Sequence, residues 1–176
     1  ILEVDVERMR FLDITLHTAH TLYSNRAHIL EMLPEVDLLI GAVLVPGAKA
    51  PKLIDREMMR VMKPGSVFVD IAIDQGGCAE TSKATTHAQP TYRVGDVVHY
   101  CVANMPGAVP ITSAHALNNA TLHYGLQLAD KGLKALIDDH HLRNGLNVHA
   151  GRITNKAVAE QLGYELAEPK SVLKVA

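Results

Sequence analysis

The sequence predicts an α/β protein in two parts: a partial doubly wound parallel sheet over residues 1–110, then a helical C-terminal segment over residues 111–176. Three observations predict it. The runs "DLLIGAVLV" (37–45), "SVFVDIAI" (66–73) and "VVHYCVA" (97–103) are nearly continuous in apolar residues, as strands covered on both faces are. Helix-period stretches separate the apolar runs, the alternation that right-handed crossovers produce. Beyond Pro110 the strand-like runs stop.

The elements follow in order. Ile1 to Val4 is a short strand, and Asp5 leads into a helix with Val6, Met9 and Leu12 on one side. Thr21 to Tyr23 is a second strand, and the stretch from Asn25 is a helix whose apolar face is Ile29, Leu30 and Leu33. Pro46-Gly47 ends the third strand. Residues 55 to 62 form a helix around Met58, Met59 and Val61, stopped by Pro64-Gly65. The strand at 66–73 runs into Asp74-Gln75-Gly76-Gly77, and the strand at 97–103 into "NMPG". Thr112 or Ser113 caps a long helix with Leu117, Ala120, Tyr124 and Leu128 on one stripe, ending near Asp130 before Gly132. Helical pieces at 133–138 and 154–162 complete the chain, the latter stopped by Gly163.

The composition narrows the function classes. The chain has 176 residues, 48% hydrophobic and 20% charged, which is globular rather than disordered. Lys plus Arg is 17 against 19 for Asp plus Glu, a net charge of -2, so no nucleic acid partner is implied. No apolar run reaches the roughly 18 residues of a membrane helix, so no membrane partner is expected either. Two cysteines, Cys78 and Cys101, are too few for a disulfide framework or a four-cysteine zinc site, and a reducing cytoplasm suits them. The chain opens at Ile1, already in strand-like sequence, and so reads as starting inside a domain.

In open α/β sheets, ligands bind beyond the carboxyl ends of the strands. Glu3, the turn after Leu44, the Asp74 turn and the Asn104 turn all occupy that address. An acid where Glu3 stands hydrogen-bonds ribose hydroxyls and repels the extra phosphate of NADP; alternatively it is a surface acid at a helix start. The glycine loop that belongs about 20 residues upstream of such an acid has no room here. Asp74, after three apolar residues and before two glycines, suits a ribose or a cationic amine, or initiates a turn. Asn104 both donates and accepts, which suits a carboxamide or keto acid, or belongs to a plain loop. Asp70, in mid-strand, reads as structural because a buried carboxylate needs donors. His17 and His20 lack a third ligand, His140 and His141 point to different sides of a helix, and no metal is expected. Cys78 has no evident base beside it and reads as an inert thiol.

The stretches "DLLIGAVLVPGAKAPKLI", "MKPGSVFVDIAIDQGGCAET", "TTHAQPTY", "VHYCVANMPGAVPITSAHALNNATL" and "NKAVAEQLGYELAEPKSVL" closely resemble the second half of the bacterial alanine dehydrogenase family. The likeness runs from Ile1 almost to the last residue, with slight gapping near residues 14 to 20. It implies a Rossmann NAD-binding domain over 1–110 lacking its first βα unit, and a linking helix with the C-terminal part of a substrate domain over 111–176. It also implies reversible, NAD-dependent deamination of L-alanine to pyruvate and ammonia, in a homo-oligomer that the family makes hexameric.

Residue by residue, the resemblance places Glu3 at the ribose, Arg8 at a nearby basic contact and Ser24 near the adenine. Val43 and Leu44 pack on the cofactor. Ile71, Ala72, Ile73 and Asp74 line the nicotinamide side, with Asp74 catalytic and Gln75 beside it. Val102, Ala103, Asn104 and Met105 supply the last cofactor contacts, Asn104 also facing pyruvate. Lys83 stands where some members have Arg, which loses bidentate geometry. Lys131 stands where a magnesium-binding member has His, so no metal is carried over. The family's glycine loop and its substrate-binding Arg, Lys and acid-base His belong to the first half, so the chain alone is expected to be inactive. The alternatives are the NAD-binding component of a proton-translocating transhydrogenase and a catalytically inactive fragment.

Overall fold

The computed structural model describes residues 1–173, and these form two compact units, Ile1–Leu44 with Ala50–Ala103, and Val45–Lys49 with residues 104–173. The first unit is α/β with a parallel-dominated sheet. β1 (Leu2–Glu3) and β2 (Leu22–Tyr23) pair in parallel. β3 (Leu38–Gly41), β4 (Val67–Asp70), β5 (Thr91–Val94) and β6 (Val97–Tyr100) form a second sheet in the order β3-β4-β6-β5. β3, β4 and β6 run parallel, with Gly41 level with Asp70 and Val69 level with Tyr100. Their carboxyl ends therefore share one rim.

The crossover helices begin where short polar side chains take up the first amide protons. Asp5 accepts from Glu7 and Arg8 at the start of α1 (Val6–Thr15). Asn25 accepts from His28 at α2 (Arg26–Met32), and Asp55 from Met58 at α3 (Arg56–Arg60). Arg26 also pairs with Asp55 at 2.5 Å, joining two of these caps, and the Met58 amide and the Arg26 guanidinium together hold the Asp55 carboxyl below its usual range. The core packs Ile29 of α2 and Leu33 just after it, Met58 and Met59 of α3, and Met62 against Phe68 and Val97 of the sheet. Leu2 and Leu39 pack against the same cluster.

Two expectations need correction in this unit, and one strand pairing lies outside them. The run 37–45 yields a strand only over Leu38–Gly41, and it is not covered on both faces, since Leu38 and Ile40 are each 53% exposed. β3 lies at the end of its sheet, so the apolar run marks an edge with one open face. The strand expected over 66–73 stops at Asp70, and Ile71–Gln75 is a 3-10 turn. β5 pairs antiparallel with β6 across Gly95-Asp96, a hairpin that a pattern of alternating strands and helices does not predict.

β5 and β6 bury a polar network. The His99 ring is wholly buried, 5.3 Å from the Phe68 ring and 5.0 Å from the Tyr92 ring. Its Nδ1 is 3.3 Å from the Val97 carbonyl and its Nε2 is 2.9 Å from Thr81 Oγ1. Those partners fit a neutral ring that donates from Nδ1 and accepts at Nε2. The Tyr92 hydroxyl donates to the Thr81 carbonyl and accepts from the Lys83 amide, both at 2.8 Å, and burial pushes its pKa up.

In the second unit a 3-10 turn (Met105–Ala108) leads into α4 (Pro110–Lys131). Neither Thr112 nor Ser113 caps α4: it opens on Pro110 after Val109, and Ser113 Oγ donates to the Pro106 carbonyl at 2.8 Å. α5 (Leu133–Asp138), α6 (His140–Asn144), a hairpin of β7 (Val148–His149) and β8 (Arg152–Ile153), α7 (Lys156–Leu162) and α8 (Pro169–Leu173) follow. That hairpin was not expected; its two-residue loop, Ala150-Gly151, has positive φ at both positions. The His140 and His141 rings do not point apart but lie 3.7 Å centroid to centroid.

Burial holds the His99 pKa below its ordinary 6.5. The unfolded chain takes up this proton more readily, so the contribution is present above pH 6.5 and is lost as pH falls below it toward the folded value. In urea titrations between pH 7.5 and 5, the stability of the chain should fall with acid, and His99→Phe should show a shallower fall over that window.

Candidate functional site

The rim defined by β3, β4 and β6 carries three of the expected segments. Val43 and Leu44 follow β3, Ile71 to Asp74 follow β4, and Val102 and Ala103 follow β6. Glu3 and Ser24 lie at the carboxyl ends of the paired strands β1 and β2, and the Ser24 amide donates to the Glu3 carbonyl at 2.8 Å. Glu3 Oε1 accepts from the amides of Val4 and Asp5 at 2.7 and 3.1 Å. Two backbone donors on one oxygen fix the carboxylate, while its other oxygen keeps acceptor capacity suited to a diol. Arg8 stands one turn into α1 with its guanidinium 4.9 Å over the Phe11 ring.

The segment after β4 is held tightly. Asp70 is wholly buried and ends the strand. Its Oδ2 accepts from the Cys78 amide at 2.9 Å and from the Ser82 hydroxyl at 2.5 Å. Ser82 Oγ in turn accepts from the Ala79 amide at 3.2 Å. Between these anchors the 3-10 turn puts Ala72 and Ile73 inside and Ile71 and Asp74 outside. Ala72, Ile73 and Val102 are buried, so what they offer a ligand is chiefly main chain. Leu44, 74% exposed, and Ile71, 52% exposed, present apolar side chains at the rim, the kind of surface a flat ring packs on.

Gly76 ends the turn in the left-handed region at φ 90°, and Gly77 follows at φ 79°. The two differ in what surrounds them. A β-carbon on Gly77 would come within 2.6 Å of Asp70 Oδ2, and closer still to Ser82 Cβ, whereas one on Gly76 meets open space. Cys78, next in the chain, is a buried free thiol whose pKa is raised to about 12, first by burial and then by the Asp70 carboxylate. A thiol so disfavoured as thiolate is a poor nucleophile.

Lys83 stands beyond the clamped loop, tied by its amide to Tyr92. Asn104 and Met105 belong to the second unit, where Asn104 has φ 56° and ψ 54°, a left-handed conformation that Asn tolerates better than most residues. The rim thus gathers Val43, Leu44, Ile71 to Asp74, Val102 and Ala103 within one unit, while Asn104 and Met105 open the other. Among the described residues no group of three or more His, Cys, Asp or Glu side chains is placed to hold a metal ion, and no helix is long and apolar enough to cross a membrane.

The family model described as "Alanine dehydrogenase/PNT, C-terminal domain" matches residues 1–156. The chain belongs to this family. Among curated relatives in the alanine dehydrogenase/PNT family, the alanine dehydrogenase of Halomonas elongata is 57% identical over 98% of this chain and 47% of its own length. That of Bacillus subtilis is 54% identical over 99% of this chain and 47% of its own length. The chain therefore spans about half the length of the curated relatives it matches. A solved L-alanine dehydrogenase superposes with a TM-score of 0.81 at 51% identity, over 93% of this chain and 45% of that one. The transhydrogenase from Sinorhizobium meliloti is more distant, with a TM-score of 0.65 at 27% identity over 89% of this chain and 42% of that one.

Sequence reasoning missed Lys52. Its ammonium donates to the carbonyls of Gly76, Gly77 and Ala79 at 2.6, 2.8 and 3.0 Å. Between a proline and a leucine it reads as an ordinary surface lysine, and no local pattern marks its partners some 24 to 27 positions away.

The two glycines give a paired test of the clamped turn. Gly77→Ala should cost about 2 to 4 kcal/mol in urea denaturation, from the positive φ and the collision with Asp70 and Ser82 together. Gly76→Ala should cost only about 1 kcal/mol, the conformational part alone.

Proposed function

We propose that this chain forms the nucleotide-binding and C-terminal portion of an NAD-dependent alanine dehydrogenase, a cytoplasmic homo-oligomer that interconverts L-alanine with pyruvate and ammonia. Residues 1–110 serve as the Rossmann domain, and 111–176 as the linking helix and the C-terminal part of the substrate domain. What carries this reading is the exposed Asp74 carboxylate on the turn beyond β4, flanked by apolar rim residues, in a chain more than half identical to two alanine dehydrogenases.

The residues present fit a dinucleotide. Glu3 would hold the ribose hydroxyls through the oxygen its backbone donors leave available, with Ser24 beside it and Arg8 nearby. Leu44 and Ile71 would pack on the cofactor, and Val43 with the main chain of Ala72, Ile73, Val102 and Ala103 would complete that wall. Lys83 would supply a positive charge, and Asn104 and Met105 would contact cofactor and substrate, Asn104 through its carboxamide. When bound, the nicotinamide accepts the hydride that leaves the alanine Cα, or returns it in the reverse direction.

The chain's own residues orient and balance charge. The Asp74 carboxylate faces the substrate amine, stabilising the cationic imine that forms as hydride departs and steering the water that releases ammonia and pyruvate. Glu3 sets the preference for NAD, because its charge repels a 2′-phosphate.

In full-length protein containing this chain, Asp74→Asn should lower kcat for pyruvate- and ammonia-dependent NADH oxidation by about 100-fold, with NADH affinity changed far less. A protein that binds NADH yet oxidises none with pyruvate and ammonia would instead be a transhydrogenase component. Glu3→Gln should shift the ratio of NADPH to NADH dissociation constants by about tenfold toward NADPH, the size of one local charge interaction, read by quenching of nucleotide fluorescence.

A further inference from the structure

The segment that follows Asp74 is gripped from both sides by opposite charges. On one side Lys52 donates to the carbonyls of Gly76, Gly77 and Ala79. An ammonium has three protons, and all three are assigned to main-chain oxygens. On the other side the buried Asp70 carboxylate accepts from the Cys78 amide and the Ser82 hydroxyl, and Ser82 accepts from the Ala79 amide. The carbonyls of Gly76, Gly77 and Ala79 thus face a cation, while the Cys78 amide between them faces an anion.

The strand-like segment carrying Lys52 adds three backbone bonds to the same stretch. The Ala50 amide donates to the Gln75 carbonyl at 2.9 Å, the Leu53 amide to the Cys78 carbonyl at 2.8 Å, and the Glu80 amide to the Ile54 carbonyl at 2.9 Å. Asp70 immediately precedes the 3-10 turn and Gly76 immediately follows it. Both ends of the five-residue turn bearing Asp74 are therefore fixed by a charged side chain.

On the reading of Asp74 given above, we propose that Lys52 and Asp70 are positioning residues for it. Their ammonium and carboxylate are engaged by main-chain and hydroxyl groups, and together they fix the backbone on which Asp74 stands. Neither touches substrate. Lys52, despite lying near the rim, is not a substrate ligand, because its donors are committed. A reacting group displaced by about 1 Å can lose on the order of 100-fold in rate, so a clamp of this kind acts on turnover more than on cofactor affinity.

The test is a double-mutant cycle in full-length protein containing this chain. Lys52→Met keeps the length of the stem and removes all three donors. It should lower kcat for pyruvate-dependent NADH oxidation about tenfold or more while the NADH dissociation constant moves less than about twofold. Introduced into Asp74→Asn, it should lower kcat no further, because there is no carboxylate left to misplace. Ser82→Ala, a smaller change for use if Lys52→Met does not fold, should repeat the pattern more weakly. Equal losses in both backgrounds, or wild-type kcat in Lys52→Met, would overturn the proposal.

Amide hydrogen exchange separates this outcome from failure of the alanine reaction itself. If wild-type protein proves inactive with pyruvate, the clamp is judged on exchange alone. Faster exchange over residues 75–82 in Lys52→Met supports it, and unchanged protection there overturns it.

Discussion

A carboxylate taken fully out of water has to find donors nearby, and at Asp70 the way it finds them sets the course of the chain for the next dozen residues. Strand β4 cannot continue, because the donors are the Cys78 amide and the Ser82 hydroxyl, and reaching them requires the chain to fold back over the strand end. The fold-back needs a tight 3-10 turn and two residues in the left-handed region, which are Gly76 and Gly77. Gly77 in particular has to lack a side chain so that the Asp70 oxygen can approach. The turn lifts Asp74 out to the rim. A feature that stabilises the fold and a feature that could serve chemistry are one and the same piece of backbone.

The relatives and the geometry bear on different statements. The family match and the superposition with a solved L-alanine dehydrogenase establish kinship and fold. The geometry says which side chains can still act on a ligand: Asp74, Leu44 and Ile71 are exposed at the rim, whereas Cys78 and His99 are buried and held neutral by their surroundings. Tyr92 shows how the two strata connect, since its half-buried hydroxyl secures the backbone of Lys83, which itself stays exposed.

Much of the fold was legible in the sequence wherever a local rule decides it. Asp5, Asn25 and Asp55 announce their helices as caps, and Gly163 ends α7 in the left-handed conformation expected of it. The strand ends were less legible, because tertiary partners decide them. The run "SVFVDIAI" shows that a mid-strand Asp70 needs donors but not that they lie at Cys78 and Ser82, so the strand expected over 66–73 runs three residues past its end at Asp70. The β5–β6 hairpin is written in "RVGDVV", where two residues separate short apolar stretches, a local signal that the parallel pattern of the neighbouring runs masks. At the rim, Asp74 stood out because an acid and an amide exceed what a turn requires. Lys52 did not, because its role is written in main-chain carbonyls, which no sequence pattern displays.

The same β5–β6 hairpin bears on how the sheet acquires its order. Val94 and Val97 face one another across only Gly95 and Asp96, so closing this pair confines very little chain. Strand β6 can thereby have one of its two edges occupied before any distant segment arrives. A parallel neighbour then has a single vacancy to fill, and β4 takes it; β3 adds outside β4. The one antiparallel strand of this sheet closes the far side of β6, so the long-range parallel pairings, the slowest kind to form, have only its other side to add to.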